Sequence, residues 1–444
     1  MIIVIAGAGE VGSHLAKLLS NEEQDITLLD ANADRLSVLD ANYNLMTVVG
    51  EPTSVSSLKE AGVAGCDLFI AVTPYESNNI LACSIAKNLG AKKTVARIDS
   101  YELMAKQNES LVRHLGVDKV IYPEYLAAQE IVTALKRPWV RNWFELHNGR
   151  IILAGIKLRQ GAPLADVKLK DFAFDNRHFH VSAIKRNHET IIPRGDDRML
   201  VGDILYITTT HDHIDELLAI TGKTEYKIKR VLVMGGSKIA VLLVKLAHND
   251  FRFTVIDNNI DQCRKLPQLC PDCEIIHGDA RDIDILNDIG ISDVEAFIAL
   301  TENSESNIFT CLNAKELGVK KTVADVENIQ FISQAENLNI GTVINKKLLA
   351  SSTIFQLLLD ADSSTSKCLA LADAEVAELE AREGSKITRA AVKDLKLPRE
   401  LTLAGLIRGD EGMLITGNTV IQPGDHVLVF CLEGALHKIE RLFS

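Results

Sequence analysis

The sequence predicts an α/β protein: two doubly wound Rossmann-like domains, each followed by a small α+β lobe. Three observations carry that prediction. The chain opens on a strand, a G-x-G-x-x-G turn and a helix. The same pattern returns 228 positions later, Gly7 against Gly235. The segments that follow the two copies also resemble each other.

Ile2 to Ala6 is a short apolar run of the kind buried in a parallel sheet. Gly7-Ala8-Gly9-Glu10-Val11-Gly12 follows, and Val11, Leu15, Leu18 and Leu19 then keep the spacing of one helix face. A second strand, Asp25 to Leu29, ends at Asp30. A lone glycine turn is weak evidence, but a strand before it, a helix after it and an acid at the next strand tip make a dinucleotide fingerprint. Gly7 permits the tight turn, Gly9 lets a pyrophosphate approach the backbone, and Gly12 lets the helix pack closely on the strand. The helix N-terminus offers unpaired N–H groups and partial positive charge to phosphate. Asp30 suits the ribose hydroxyls and repels a 2′-phosphate, which favours NAD over NADP.

The first domain continues with strands at Leu45 to Val49, Leu68 to Val72, Thr94 to Ile98 and Lys119 to Tyr122. Helices are expected at Asn78 to Leu89 and from about Glu124 to Leu135. Strands alternating with helices imply an open parallel sheet covered on both faces. Ligands then lie beyond the carboxyl ends of the strands, where Glu51, Thr73 and Arg97 also fall. Arg97 offers a bidentate fork to phosphate, although an ion pair with Glu51 or Glu76 competes for it. Glu76 and Asn79 stand where helix capping competes with ligand contact.

The repeat is sustained. Val231 to Ala240 aligns with the first strand and turn, and Asp257 ends the next strand as Asp30 does. Gly278-Asp279-Ala280 answers Gly50-Glu51-Pro52, Thr301 answers Thr73, and Asp325 stands where Arg97 stood. The second copy departs from the fingerprint at the turn. Ser237 replaces the second glycine, and Ala240 the third. Asp325 would face phosphate with negative charge, which Lys238 would partly offset. Weaker or different nucleotide binding is expected there.

Between and after the copies, Gly202-Asp203 and Gly424-Asp425 each suit a tight turn into a β-branched strand. Each lobe closes on a short helix, His213 to Ile220 and Glu433 to Leu442. The expected domains are 1–136, 143–222, 229–359 and 367–444. Linkers fall at Lys136 to Asn142, at a polar joint from Gly222 to Lys229, and at the Ser/Asp-rich Asp360 to Lys367.

Composition narrows the function. A net charge of −12 argues against a sequence-independent nucleic-acid binder. No apolar run approaches the roughly 20 residues that cross a bilayer. No basic n-region precedes the first strand, so a cytoplasmic location is expected. The 8 cysteines suit buried thiols. Cys263, Cys270, Cys273 and His277 could be weighed as zinc ligands, but His277 is expected to be tied up at a strand end, and no metal site is assigned.

These residues resemble the RCK family of potassium-transport regulators (KTN plus RCK-C), in its tandem TrkA-type form, over essentially the whole chain. The specific marks are Gly7-Ala-Gly-Glu-Val-Gly12, Ala71-Val-Thr73, Glu76-Ser-Asn-Asn79, Ala96-Arg97-Ile98 and the paired Gly-Asp lobes. The resemblance implies a regulatory subunit on the cytoplasmic face of the inner membrane. Its partner would be a TrkH-type potassium translocator, its assembly a homo-oligomeric, tetrameric ring, and its ligands NAD/NADH and ATP/ADP. It implies nucleotide contacts at Gly7, Gly9, Glu10, Val11, Gly12, Asp30, Glu51, Thr73, Glu76, Asn79 and Arg97. In the second copy they fall at Gly235, Ser237, Lys238, Asp257, Asp279 and Thr301. No catalytic residue is assigned: no Tyr-x-x-x-Lys pair and no histidine motif accompanies either copy. An NAD-dependent oxidoreductase, and an assembly scaffold with vestigial sites, are the alternative readings.

Overall fold

A computed structural model describes residues 1–20, 24–146, 149–175, 178–187, 189–338, 340–362, 369–371, 374–432 and 435–443. The chain forms two compact units, one of residues 1–126 with 346–363, the other of 127–345 with 364–444.

The first unit holds the opening Rossmann sheet. Its strands are β1 (Ile2–Ala6), β2 (Asp25–Asp30), β3 (Met46–Val49), β4 (Leu68–Ala71), β5 (Lys93–Arg97) and β6 (Lys119–Ile121). They pair in parallel in the order β3-β2-β1-β4-β5-β6, so the chain reverses its winding between β1 and β4. A crevice for ligands opens at that reversal, where the glycine turn leaves β1. Ile3, Val4, Ile5 and Ala6 are all 0% exposed, as a strand covered on both faces requires. Helix Glu10–Ser20 buries Val11, Gly12, Leu15, Ala16 and Leu19 as one stripe. Helix Glu76–Leu89 starts two residues earlier than the apolar spacing suggests, and Gly90 ends it in the left-handed conformation. Helix Lys346–Asp362, far along the chain, packs on helix Glu10–Ser20, and Ser351 Oγ donates to Val11 O at 3.5 Å.

The second unit contains the remaining three sheets. The first lobe has β7 (Asn142–Leu146), β8 (Ile151–Lys157), β9 (His180–Arg186), β10 (Glu189–Ile191) and β11 (Ile204–Thr209), in the order β10-β9-β11-β8-β7. The second Rossmann sheet has β12 (Arg230–Met234), β13 (Arg252–Asp257), β14 (Cys273–His277), β15 (Ala296–Ala299), β16 (Lys321–Asp325) and β17 (Thr342–Ile344). Its order, β14-β13-β12-β15-β16-β17, is that of the first copy. The last lobe has β18 (Leu369–Leu371), β19 (Ala374–Glu380), β20 (Leu401–Arg408), β21 (Glu411–Leu414) and β22 (His426–Leu432). Read from its other edge, this sheet repeats the first lobe strand for strand.

The Gly-Asp turns do more than reverse the chain. Gly202 and Gly424 take φ of +98° and +85°, a region that favours glycine. The Asp203 carboxylate, 2% exposed, receives Arg186 at 2.9 and 2.8 Å and the Leu200 amide at 2.7 Å. Asp425 repeats this with Arg408 at 2.8 and 2.7 Å and the Gln422 amide at 2.8 Å. A buried bidentate ion pair thus locks each turn to a neighbouring strand. The two lobe sheets pack on each other through Leu153, Tyr206, Val376 and Phe430, among others.

The lobe helices run Ile214–Ile220, after one 3₁₀ turn, and Leu436–Phe443. Glu433, the expected start of the last helix, and positions 363–367 of the expected Ser/Asp-rich linker lie outside the described residues. Among the described residues no helix is long and apolar enough to cross a membrane.

Candidate nucleotide-binding clefts

The second Rossmann sheet presents a cleft at the carboxyl ends of its strands, and one set of hydrogen bonds shapes these strand ends in both copies. Gly7 takes φ of +112° as the chain leaves β1, and its amide donates to Leu29 O at 2.8 Å. A Cβ on Gly12 would land on the Gly7 carbonyl oxygen, so this close helix–strand approach requires glycine. A Cβ on Gly9 would meet nothing within 4 Å. The space beside Gly9 is therefore open, as close approach of a ligand to the backbone requires.

Asp30, at the tip of β2, braces the turn. One carboxylate oxygen accepts from the Ala8 amide at 2.6 Å and the other from the Asn32 amide at 2.8 Å. Each oxygen keeps a second acceptor site for a ribose hydroxyl. Asp257 does the same in the second copy, accepting from Gly236 at 2.7 Å and Asn259 at 2.8 Å.

A second device ties the neighbouring strand ends together. Thr73 donates to Asn79 Oδ1 from its amide at 2.9 Å and its hydroxyl at 2.7 Å. The Asn79 side-chain NH₂ donates to Thr73 O and to Arg97 O, both at 2.9 Å. Asn79 is 0% exposed and its amide is consumed by this clamp, so it holds the cleft floor without reaching a ligand. Thr301 and Asn307 repeat the clamp, with Asn307 donating to Thr301 O and Asp325 O at 2.8 Å each. Glu76 is likewise engaged, accepting from the Asp99 and Ser100 amides at 2.7 and 2.8 Å.

Arg97 does not pair with Glu51 or Glu76. Its guanidinium stands 4.0 Å from the buried Glu124, which also lies 3.7 Å from Lys346. Among the described residues that is its one charge contact, and it is too long for a hydrogen bond. Glu51 is exposed at the β3 tip. Glu10 is exposed on the first helical turn and ion-paired to Lys347, while Val11 is buried.

The second cleft has a volume of about 570 Å³ and is lined by Gly235, Ser237, Asp257, Asp279 and Thr301 of the expected set. Lys238 and Asp325 are not on that lining. Lys238 is the exposed first residue of helix Lys238–Ala247, and Asp325 is 3% exposed at the end of β16. The expected repulsion of phosphate by Asp325 therefore has no geometric basis along the cleft wall. Ser237 caps the helix instead, its hydroxyl accepting from the Ala240 amide at 3.4 Å.

Sequence reasoning missed Arg281 and Gln262, which also line this cleft. Arg281 grips Asp279 at 2.6 Å, so the β14 loop carries a cation. Its place three residues beyond Gly278, after a strand tip, was the available signal. Gln262 donates to Gly236 O at 2.6 Å. The thiols near this cleft bond locally: Cys263 to Asp257 O at 3.4 Å and Cys273 to Cys270 at 3.3 Å. His277 is tied to Asn258 O at 3.2 Å. Among the described residues no group of three or more His, Cys, Asp or Glu could hold a metal ion.

A Rossmann sheet with a glycine turn occurs twice, each time followed in the chain by the same antiparallel lobe, and this is the tandem order of TrkA-N and TrkA-C domains. The chain belongs to the TrkA family. The TrkA-N domain model matches residues 3–123 and 231–346, and the TrkA-C domain model matches 153–222 and 376–444. The chain is 30% identical to the Trk system potassium uptake protein TrkA of Vibrio alginolyticus, over 100% of this chain and 99% of that one. It is 28% identical to the protein of the same name from Halomonas elongata, over 100% and 99%. Among solved structures, the GsuK RCK domain superposes with a TM-score of 0.61 at 16% identity, covering 99% of this chain and 94% of that one. The GsuK channel bound to NAD gives 0.61 at 15% identity, covering 99% and 78%.

Proposed function

We propose that this chain is a nucleotide-sensing regulatory subunit that binds NAD(H) and ATP or ADP and gates a membrane potassium translocator of TrkH type. It acts without catalysing a reaction, as a tetrameric ring on the cytoplasmic face of the inner membrane. The four expected parts, 1–136, 143–222, 229–359 and 367–444, serve as two sensing domains and two assembly lobes.

One observation carries the reading: the acid at the tip of β2 braces a glycine turn whose middle glycine, Gly9, faces open space. Phosphate would meet the turn and the amides at the start of helix Glu10–Ser20, with Arg97 as the nearby cation. Ribose would meet Asp30. Membership of a family whose relatives are named for potassium uptake supplies the transport context. Along the chain each Rossmann sheet is followed by a small antiparallel lobe rather than a substrate domain, which favours sensing over hydride transfer.

A ligand can shift a gate only by binding its two states unequally. Two clefts of one frame but different linings provide distinct, coupled sites. The test is recovery from detergent-solubilised membranes with the full chain as bait. A potassium translocator should be recovered, in an amount that NADH or ATP changes severalfold. Recovery of no translocator contradicts the proposal.

A further inference from the structure

The second unit contains a cavity that the nucleotide reading leaves unused. It lies at the amino ends of β16 and β17, opposite the carboxyl ends that form the cleft. Its volume is about 380 Å³, within the range of small-molecule sites. Six cations from four segments converge on it: Arg141, Lys157, Arg159, Lys223, Lys315 and Lys321. Lys320 joins them at its rim, 5.8 Å above the Tyr226 ring.

This concentration of charge is unexpected in a chain of net charge −12. No carboxylate among the described residues forms an ion pair with Lys157, Arg159 or Lys223. Two acids that act on the cluster are Glu336, which is already paired with Lys185 at 2.7 Å, and the half-buried Glu130. Lys321, 4% exposed, is held by Val140 O and Thr342 Oγ1, both at 3.0 Å, and among the described residues by no carboxylate. Burial and the neighbouring cations push Lys223 and Lys315 down to about 8, and Lys321 to about 7. Like charges held together in a partly dry cavity are costly without a counter-charge.

We propose that this cavity is a binding site for a small, multiply charged phosphate anion, of polyphosphate or nucleoside-polyphosphate type, distinct from both Rossmann clefts. The Arg159 guanidinium supplies a planar fork for phosphate oxygens, and the lysines supply point charges around it. The segments that meet here are the first lobe, the joint at Gly222 to Tyr226, and the second Rossmann sheet. An anion would therefore fasten three parts of the unit together. Helix Ser304–Glu316 lines the nucleotide cleft at its first turn, through Ser306, and this cavity at its last, through Lys315. That helix gives the site a direct physical route to the nucleotide cleft.

The experiment is calorimetric titration of the full chain with inorganic tripolyphosphate at 0.15 M salt. Wild type should bind it. Arg159→Ala with Lys223→Ala should weaken binding by about tenfold or more, while Arg159→Lys with Lys223→Arg should retain most of it. Asp30→Ala and Asp257→Ala, which alter the Rossmann clefts, should leave it in place. No binding to wild type, or equal binding to wild type and the double alanine variant, overturns the proposal. So does a result in which the double alanine variant loses binding to phosphatidylglycerol vesicles but keeps tripolyphosphate, since the cavity would then serve a lipid surface.

Discussion

The two Rossmann copies keep one skeleton and differ in what faces the cleft. In both, the acid at the second strand tip accepts the amide that follows the first glycine, and a Thr–Asn clamp ties the two strands that follow. Around that skeleton Gly9 became Ser237, Gly12 became Ala240, Glu76 became Ser304 and Arg97 became Asp325. Even Glu76 and Ser304 do the same work, each accepting amides from the loop after the next strand. The acid and the Thr–Asn clamp that hold the backbone are retained, while Gly9, which faces open space, has become Ser237. The difference teaches that the second cleft is a re-lined site, not a collapsed one.

The largest effect should come from breaking the clamp. Asn79→Ala strands the Thr73 amide and two carbonyls in a buried place, and should cost about 3 kcal/mol in urea unfolding. Asn307→Ala should cost a similar amount, because the second clamp has the same bonds. A difference above about 1.5 kcal/mol between the two would break the claim of a common skeleton. Next, Gly12→Val should destabilise the first copy by about 2 kcal/mol and remove its nucleotide binding, since its Cβ meets the Gly7 carbonyl. Ala240→Val, at a position that already holds a methyl group, should cost less.

A smaller effect concerns Lys93 and Lys321, which occupy the same place 228 positions apart. Lys93 is exposed, whereas Lys321 is buried among Arg141, Lys315 and Glu130, and its pKa falls to about 7. With the folded value below the unfolded one, the unfolded chain binds more protons between roughly pH 7 and 10. This group's contribution to stability therefore rises with pH across that window and is lost as pH falls through about 7. Lys321→Met should flatten the rise of stability with pH relative to wild type. A pH profile that Lys321→Met leaves unchanged would contradict this expectation. The smallest change expected is in the second cleft: Ser237→Gly should tighten nucleotide binding there by a few fold, since it frees the approach to the backbone.

Both sheets were legible in the sequence because each strand is a short apolar run ended by a glycine or a polar tip. The repeat then fixed the order of domains. Bonds between distant segments were not legible. Nothing in local spacing shows that Arg97 faces Glu124, or that helix Lys346–Asp362 packs on helix Glu10–Ser20. Asp325 was misjudged because its register position was known but its side-chain direction was not. Asn79 carried two readings that only its four hydrogen bonds separate. The basic cavity escaped notice because its cations come from four segments, none of which is itself a charge run.

The central claim is that the glycine turn braced by Asp30 binds a nucleotide that the chain senses. It is tested most directly by calorimetry with NADH, NAD, ATP and ADP on wild type, Asp30→Ala and Asp257→Ala. At least one nucleotide should bind wild type, and Asp30→Ala should weaken the first-cleft component by about tenfold or more, because it removes both the ribose acceptor and the brace on the Ala8 amide. Binding of none of the four to wild type, or binding unchanged by both substitutions, would contradict the account.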